Sequence, residues 1–520
     1  MSLTIPKRIF ETAFALRYCT IPIVPGLPSQ SVVTIPNPKR FSSRTRRLTA
    51  ITKKAATASL TFNTLAHSTQ ALQEASPYSR TSMAKSTLIA LSTADAGVFS
   101  SGVRADSAQA ASEVLQENME NYHIFFNDQG FHNHIVHHIL TIYALGASPE
   151  TIKAAFERDK QYQRKPYPVD ESVVQAMSDK TKFKQFTGKE MHYSSFLVYF
   201  QRELDAKGVG PVLNEHLFAE DGHADDLLVR MFAGFLHPLI HLGFGVEFNQ
   251  PAIVAEALAQ AAVHDNWIGD YLLPAEKAAG SIGEPEEKTL EQLLGEIRGN
   301  EKLVNSVQWS DSNKIRDGIL KRAPDEMLRY ASQYTVSADH LEEKLAEMIN
   351  AVVYYASTAQ RPPKQIKFDF YYMHCVNCSI FFPALFSIPS LSLGSKIRLL
   401  EWKGRMDLAM YVSRRAPKLL LDEVTNYKSH KGWKEVFDNS VLNERDDGHV
   451  SKMTRAVAHG GNVCKPFEGG GKEKGFMIAG DMWLKIGNMI VDSVDSPGDM
   501  WVRSTGFDEA WSKFNDRSPQ

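Results

Sequence analysis

The stretch His123-Ile-Phe-Phe-Asn-Asp-Gln-Gly-Phe-His-Asn-His-Ile-Val-His-His-Ile-Leu-Thr-Ile-Tyr-Ala-Leu-Gly146 decides how the chain is read. It holds five of the seventeen histidines, four of them within the seven residues 132–138. His134 and His138 stand four apart, which on a helix puts both imidazoles on one face, a turn apart. Ile135, Val136, Ile139, Leu140, Ile142 and Leu145 make the segment apolar. A helix apolar on most sides lies inside a protein, and imidazoles buried with it need partners. Two accounts fit these residues: core and capping histidines bonded to backbone, or a metal shared by several of them.

Helical spacing continues outward. Apolar periodicity predicts helices over 106–126, 191–206, 211–220, 225–243, 250–265, 337–358, 368–385, 393–413, 448–459 and 482–494. Ser148-Pro-Glu150 opens another, with a capping hydroxyl, proline at the first position and an early acid. Residues 272–325 read as a polar surface excursion with one helix at 290–298, and 460–471 as a glycine-rich loop. There is no period-2 alternation, βαβ pattern or internal repeat. The expected fold is all-α: a single large multi-helix domain over 105–512, with a disordered N-terminal extension.

The 520 residues are 43% hydrophobic with a net charge of −2, enough for a sizeable core. Residues 1–82 carry a net +9 and the remainder −11. The basic, acid-poor segment 1–82 has the composition of a mitochondrial presequence; an extended start with the protein proper opening near Met83 accounts for it equally well. The expected location is cytoplasmic, or mitochondrial if 1–82 directs import. The acidic body gives no support for a nucleic-acid partner. Four cysteines are too few for a disulfide scaffold, and no apolar run reaches membrane-spanning length.

Three apolar segments bring histidine inward: 132–138, Phe235-Leu-His237-Pro-Leu-Ile-His241-Leu-Gly243, and Phe368-Asp-Phe-Tyr-Tyr-Met-His374. His237 and His241 have the spacing by which one helix offers two nitrogens to a metal. Pro238 is expected to kink that helix and turn His237 toward a cavity. It also fills the place of the glutamate in zinc proteases, so zinc hydrolysis is disfavoured. Histidine-rich sites with open positions suit iron, copper, nickel or zinc. Cys375-Val-Asn-Cys378 lies within an apolar helix and reads as packing, not as a redox pair. No dinucleotide fingerprint follows a strand, and no G-x-S-x-G elbow is present. Gly469-Gly-Gly-Lys472 fails as a phosphate loop, because Glu473 and Pro466 stand where a hydroxyl residue and a glycine are needed. Lys452, in Asp446-Asp-Gly-His449-Val-Ser-Lys452-Met-Thr-Arg455, reads as part of a surface helix; buried and neutral, its amine would be able to take up carbon dioxide as a metal-binding carbamate.

The segments Phe131–His138, Ala144–Ala147, His237–Gly245, Asp369–His374, His449–Ala456 and 482–511 resemble, in order, the questin oxidase-like family. The resemblance spans about 105–512. It implies oxygen-dependent ring opening of an anthraquinone or related aromatic polyketide in fungal secondary metabolism, at non-heme Fe(II) with dioxygen. NADPH is a further cofactor for some such chemistry. Carried over residue by residue, it implies nitrogen ligands His134, His237, His241 and His374 and a carboxylated Lys452. His138 is the reserve ligand or catalytic group, and His132, His137 and His449 orient the others. Phe131, Phe235, Phe244, Tyr371 and Tyr372 are expected to line an apolar pocket. The Cys375-Val-Asn-Cys378 helix departs from the small and hydroxyl residues of the family pattern, which bears on the pocket wall. Two rivals stand beside this reading: an NADPH- or flavin-dependent Baeyer–Villiger monooxygenase, and a non-catalytic helical binding protein.

Overall fold

The computed structural model describes residues 85–281 and 287–517. The extension expected over 1–82 lies outside the described residues. Among the described residues there is no strand; Phe125 with His132, Lys364 with Asp516 and Asp369 with Val502 form isolated bridges. The described residues belong to one unit, and the all-α reading holds.

Two helix groups meet at the histidines. In the first, Ala233–Glu247 packs on the alanine-rich helix Pro251–Val263, which packs on Tyr193–Lys207. Every residue from Ala252 to Val263 is buried. Small side chains let these backbones close up: a Cβ at Gly245 would stand 2.7 Å from the Val254 nitrogen. In the second group, Leu341–Thr358, Phe370–Ser379 and His449–Cys464 pack on one another. The short helix Ile135–Ala144, buried along its whole length, touches both groups. Ser148 caps Pro149–Asp159 through the Thr151 amide, as its sequence predicts.

Several boundaries differ from the sequence reading. The span 225–243 is not one kinked helix. Gly222–Met231 and Ala233–Glu247 meet at 95°, through left-handed backbone at Gly234, Phe235 and Leu236. Pro238 therefore sits in the first turn after the break, where its missing N–H costs nothing, and is not the cause of the bend. The span 272–325 is no surface excursion. Leu290, Leu293, Leu294, Ile297, Leu303, Ile315 and Ile319 are buried, so its charges mark only the outer faces of amphipathic helices. Nor is 460–471 a loop from its start. His449–Cys464 continues through Gly460 and Gly461 because the Trp483 ring lies 3.1 Å from where either Cβ would be. The 368–385 span divides into Phe370–Ser379 and Phe382–Phe386. No single helix among the described residues is long and apolar enough to cross a membrane; only the pair bent at 95° meets that length and composition together.

A buried ion pair locks the two groups together. Arg455 donates to both carboxylate oxygens of Glu247, with Nη1 to Oε2 at 3.1 Å, and through Nε to the Phe99 carbonyl at 3.0 Å. Glu247 also accepts from the Val98 amide at 2.9 Å. Removing one partner of such a pair strands the other charge in the core. Glu247→Ala is expected to destabilise the protein by about 3–5 kcal/mol, read as a lowered midpoint in urea with an unchanged slope.

Candidate metal centre

Four short segments deliver imidazoles to one place, each near a helix start or a break in the helix. The amide of Ile135 donates to Asn133 Oδ1 at 2.9 Å, so the helix begins at Ile135 and His134 stands just before it. His134 therefore projects from the helix end, while His138 lies on its flank. His237 follows the left-handed run. Gly234 has φ +52°, and a Cβ there would stand 2.7 Å from the rings of His132 and His264, so only glycine fits. Left-handed Phe235 and Leu236 cost about 1–3 kcal/mol each. The break frees the Gly234 carbonyl, which accepts from His237 Nδ1 at 2.5 Å. Asp369 caps the third segment by accepting from the Tyr371 amide at 2.8 Å, and His374 Nδ1 donates to the Phe370 carbonyl at 2.6 Å. In the fourth, Asp446 accepts from the amides of Val450 and Ser451, and His449 Nδ1 donates to Asp447.

These bonds fix the tautomers. A ring nitrogen facing a carbonyl or carboxylate must carry the proton, so the other nitrogen presents a lone pair. His237 and His374 face carbonyls; His449 and His134 face Asp447, the latter at 3.4 Å from Nδ1 to Oδ2. The short bonds leave Nε2 of His237, His374 and His449 as lone pairs. The Nε2 atoms of His134 and His237 face each other at hydrogen-bond distance, 2.8 Å, and a coordinating nitrogen of His449 lies within 4.8 Å of both. The Nε2 atoms of His449 and His374 have no partner, although both rings are buried. The His374 ring lies 4.8 Å from that of His237 and 5.2 Å from that of His449.

Burial lowers the basicity of these rings, and neighbouring histidines and Lys452 add to it. His134 is pulled down to about 4, His237 and His374 well below 6.5, and His449 below it. Neutral imidazole is the metal-binding form. Partial burial works against ionised Asp447, but the charge of His449 and the contacts from His134 and His449 outweigh it and hold the carboxyl well below its usual range. Converging ring nitrogens, two of them buried without a partner, and one anchoring carboxylate form a donor set that a transition-metal cation fits.

Lys452, three residues after His449, is buried with no partner for Nζ. Burial pushes its amine down to about 8, against the opposing charges of Asp447 and Asp446. It is not on a solvated face, and about a tenth of it is neutral at pH 7, far more than of an ordinary lysine.

The other expected residues lie around this group. His138 Nδ1 pairs with buried Asp159 at 2.7 Å; burial opposes its protonation, but the bond and charge of Asp159 prevail and raise its pKa. His241 Nε2 lies 3.4 Å from Glu256, so the His237–His241 spacing does not bring both rings into the three-residue cluster. His137 has both nitrogens unpartnered and stacks on Phe244. His132 lies flat on His237 with centroids 3.8 Å apart, and its Nε2 is bonded to that of His264 at 2.7 Å. His264 and Asp447 had no role in the sequence reading. Asp447, two residues before His449 at a helix start, carried a local signal; His264, at the end of an alanine-rich helix, carried none. Of the expected pocket aromatics, Phe235 and Tyr371 touch beside His374. Tyr372 turns away, with its hydroxyl on the Tyr411 carbonyl. Cys375 and Cys378 are buried free thiols.

The family model described as questin oxidase-like matches residues 131–457, which contain every histidine of this cluster and Lys452. A Baeyer-Villiger oxidase of Pestalotiopsis microspora is 39% identical over 422 residues, covering 79% of this chain and 94% of the relative. The questin oxidase of Aspergillus terreus is 37% identical over 83% of this chain and 98% of its own length. An oxidoreductase of Aspergillus parasiticus is 37% identical over 77% of this chain and 81% of the relative.

Neutral burial of histidine has a pH signature. His134 and His264 fall to about 4, and His216 and His459 to about 3, all chiefly through burial. The unfolded chain, with histidines near 6.5, binds more protons than the folded one between those values. Stability is therefore complete above about pH 6.5 and falls as pH drops toward about 4, by several kcal/mol in the metal-free protein. Urea midpoints measured across that range check it, and a flat profile contradicts it.

Proposed function

The chain belongs to the questin oxidase-like family, and from that premise we propose that it is an oxidoreductase that opens an anthraquinone-type or related aromatic polyketide ring oxidatively, at a non-heme iron centre, in fungal secondary metabolism. The observation that carries the reading is the set of buried Nε2 atoms that converge on one place, those of His237, His374 and His449 left as lone pairs because their Nδ1–H groups are bonded to fixed oxygens. His134, His237, His374 and His449 would hold the metal. Lys452 would join them as a carbamate: its neutral amine adds to carbon dioxide, forms an N–C bond and releases one proton. Ferrous iron supplies the electrons that make dioxygen reactive toward an organic ring.

The protein's own part is orientation and exclusion. The carbonyls of Gly234 and Phe370 hold the rings of His237 and His374 in one tautomer. Asp447 does the same for His134 and His449 and offsets charge beside them. Phe235 and Tyr371, half-buried, give a flat ring an apolar surface at His374. His138, kept protonated by Asp159 to higher pH than the others, is available as an acid on the far flank of the 135–144 helix.

The relatives named Baeyer-Villiger oxidases favour a second reading, oxygen insertion beside a ring carbonyl with NADPH or a flavin as reductant. Cofactor content separates the two. Protein purified with ferrous iron is expected to hold the metal and consume dioxygen with an anthraquinone or its hydroquinone. His237→Ala and Lys452→Ala should each lower iron content at least tenfold while remaining folded by circular dichroism. Full iron retention in both variants removes this ligand set; bound flavin with strict NADPH dependence and no iron requirement selects the second reading.

A further inference from the structure

The histidine cluster lies at the edge of the fold, not at its centre. The Asp447 side chain is 40% exposed, and Phe370 and Tyr371 are half-buried beside it. The Phe370 ring stands edge-on to His374 with centroids 4.8 Å apart and lies 5.3 Å from His449. Over that ring, 4.4 Å from its centroid, lies the guanidinium of Arg503. Its charge reaches His449, whose basicity it lowers.

The backbone on both sides of Arg503 is tied to the start of the His374 helix. Val502 donates to the Phe368 carbonyl at 3.0 Å, and its own carbonyl accepts from Phe370 at 2.8 Å. Beyond Arg503, the amides of Ser504 and Thr505 donate to Asp369 Oδ2 at 2.7 and 2.8 Å. Ser504 has φ +75°, left-handed for a residue with a side chain, at a cost of about 1–3 kcal/mol. Arg414, which is stacked on Tyr371, holds the Ser504 hydroxyl at 2.8 Å. Buried Asp369 thus serves two purposes: it caps the helix carrying His374 and clamps the strained segment carrying Arg503.

The Arg503 side chain, by contrast, is exposed and has no carboxylate within ion-pair distance among the described residues. Arg164, Arg398 and Arg455 all have such partners. A fixed backbone, an aromatic platform and an unpaired fork of donors at the edge of a histidine cluster suit a planar anion. Guanidinium keeps its charge at any working pH and binds an oxyanion through two parallel N–H bonds.

We propose that Arg503 is a positioning residue that binds an anionic oxygen substituent, a carboxylate or an ionised phenol, on the aromatic substrate and so sets which ring edge faces His374 and His449. This rests on the reading of the site as an aromatic-oxidising centre, but its test does not need turnover. The probes are anthraquinone-2-carboxylate against neutral 2-(hydroxymethyl)anthraquinone. A second pair is 2-hydroxyanthraquinone against 2-methoxyanthraquinone, in buffer alkaline enough to ionise the phenol. Binding to the full-length protein is measured by tryptophan quenching and calorimetry. Arg503→Gln is expected to weaken at least one anionic probe about tenfold and its neutral counterpart less than twofold. Arg503→Lys should restore part of the difference, with iron content and thermal midpoint unchanged in both variants. The pair that responds identifies the group. Wild-type affinity for all four probes in Arg503→Gln, equal loss of all four, or no binding by the wild type overturns the proposal. Selective loss in a protein that takes up no iron leaves the anchor standing and removes the iron chemistry instead.

Discussion

The centre depends on one constraint: every converging imidazole spends its proton on a fixed oxygen before it reaches the cluster. The Gly234 and Phe370 carbonyls and the Asp447 carboxylate do this for His237, His374 and His449, and Asp447 also lies 3.4 Å from His134 Nδ1. Histidines without such an oxygen pair with one another instead, as His132 and His264 do. The architecture serves this constraint. His134 and His449 sit at helix starts, where chain direction changes sharply; His374 lies one turn into its helix, and His237 follows a left-handed run that exposes the carbonyl it needs.

Much of this was legible in the sequence. Helical periodicity gave the all-α class, and three apolar segments marked the histidines at 132–138, the pair His237 and His241, and His374; the choice of His134, His237, His241 and His374 among them came from the family resemblance. What periodicity could not give was the direction of each ring. The i, i+4 rule places His134 with His138 and His237 with His241, yet each pair divides. His134 precedes its helix because Asn133 starts it, and His241 turns to Glu256. His449 read as an orienting residue because its free nitrogen becomes evident only once Asp447 takes the other. The cause of the 234–236 bend was misassigned for a related reason. Proline is a conspicuous breaker, whereas left-handed Phe235 and Leu236 carry no local signal and persist only through surrounding packing.

Glycine misled in the opposite direction. Gly460 and Gly461 suggest a loop by composition, but they are helical and serve as the flat bed for Trp483. High charge over 272–325 likewise concealed a row of buried aliphatic residues. In both places the sequence shows a residue type, and only the tertiary neighbour gives it meaning.

Cys375 follows His374 directly, and Cys378 lies one turn on. Burial pushes the Cys378 thiol up to about 12 and that of Cys375 well above its ordinary value. The thiolate is the form that reacts with peroxides, and sulfenic acid is the first step of oxidative damage. Sulfur held this firmly as thiol is a slow target, so the protein can keep two soft, close-packing side chains behind a centre proposed to handle oxygen. Resistance to oxidation is then a property of the wall behind the histidines as much as of the histidines themselves.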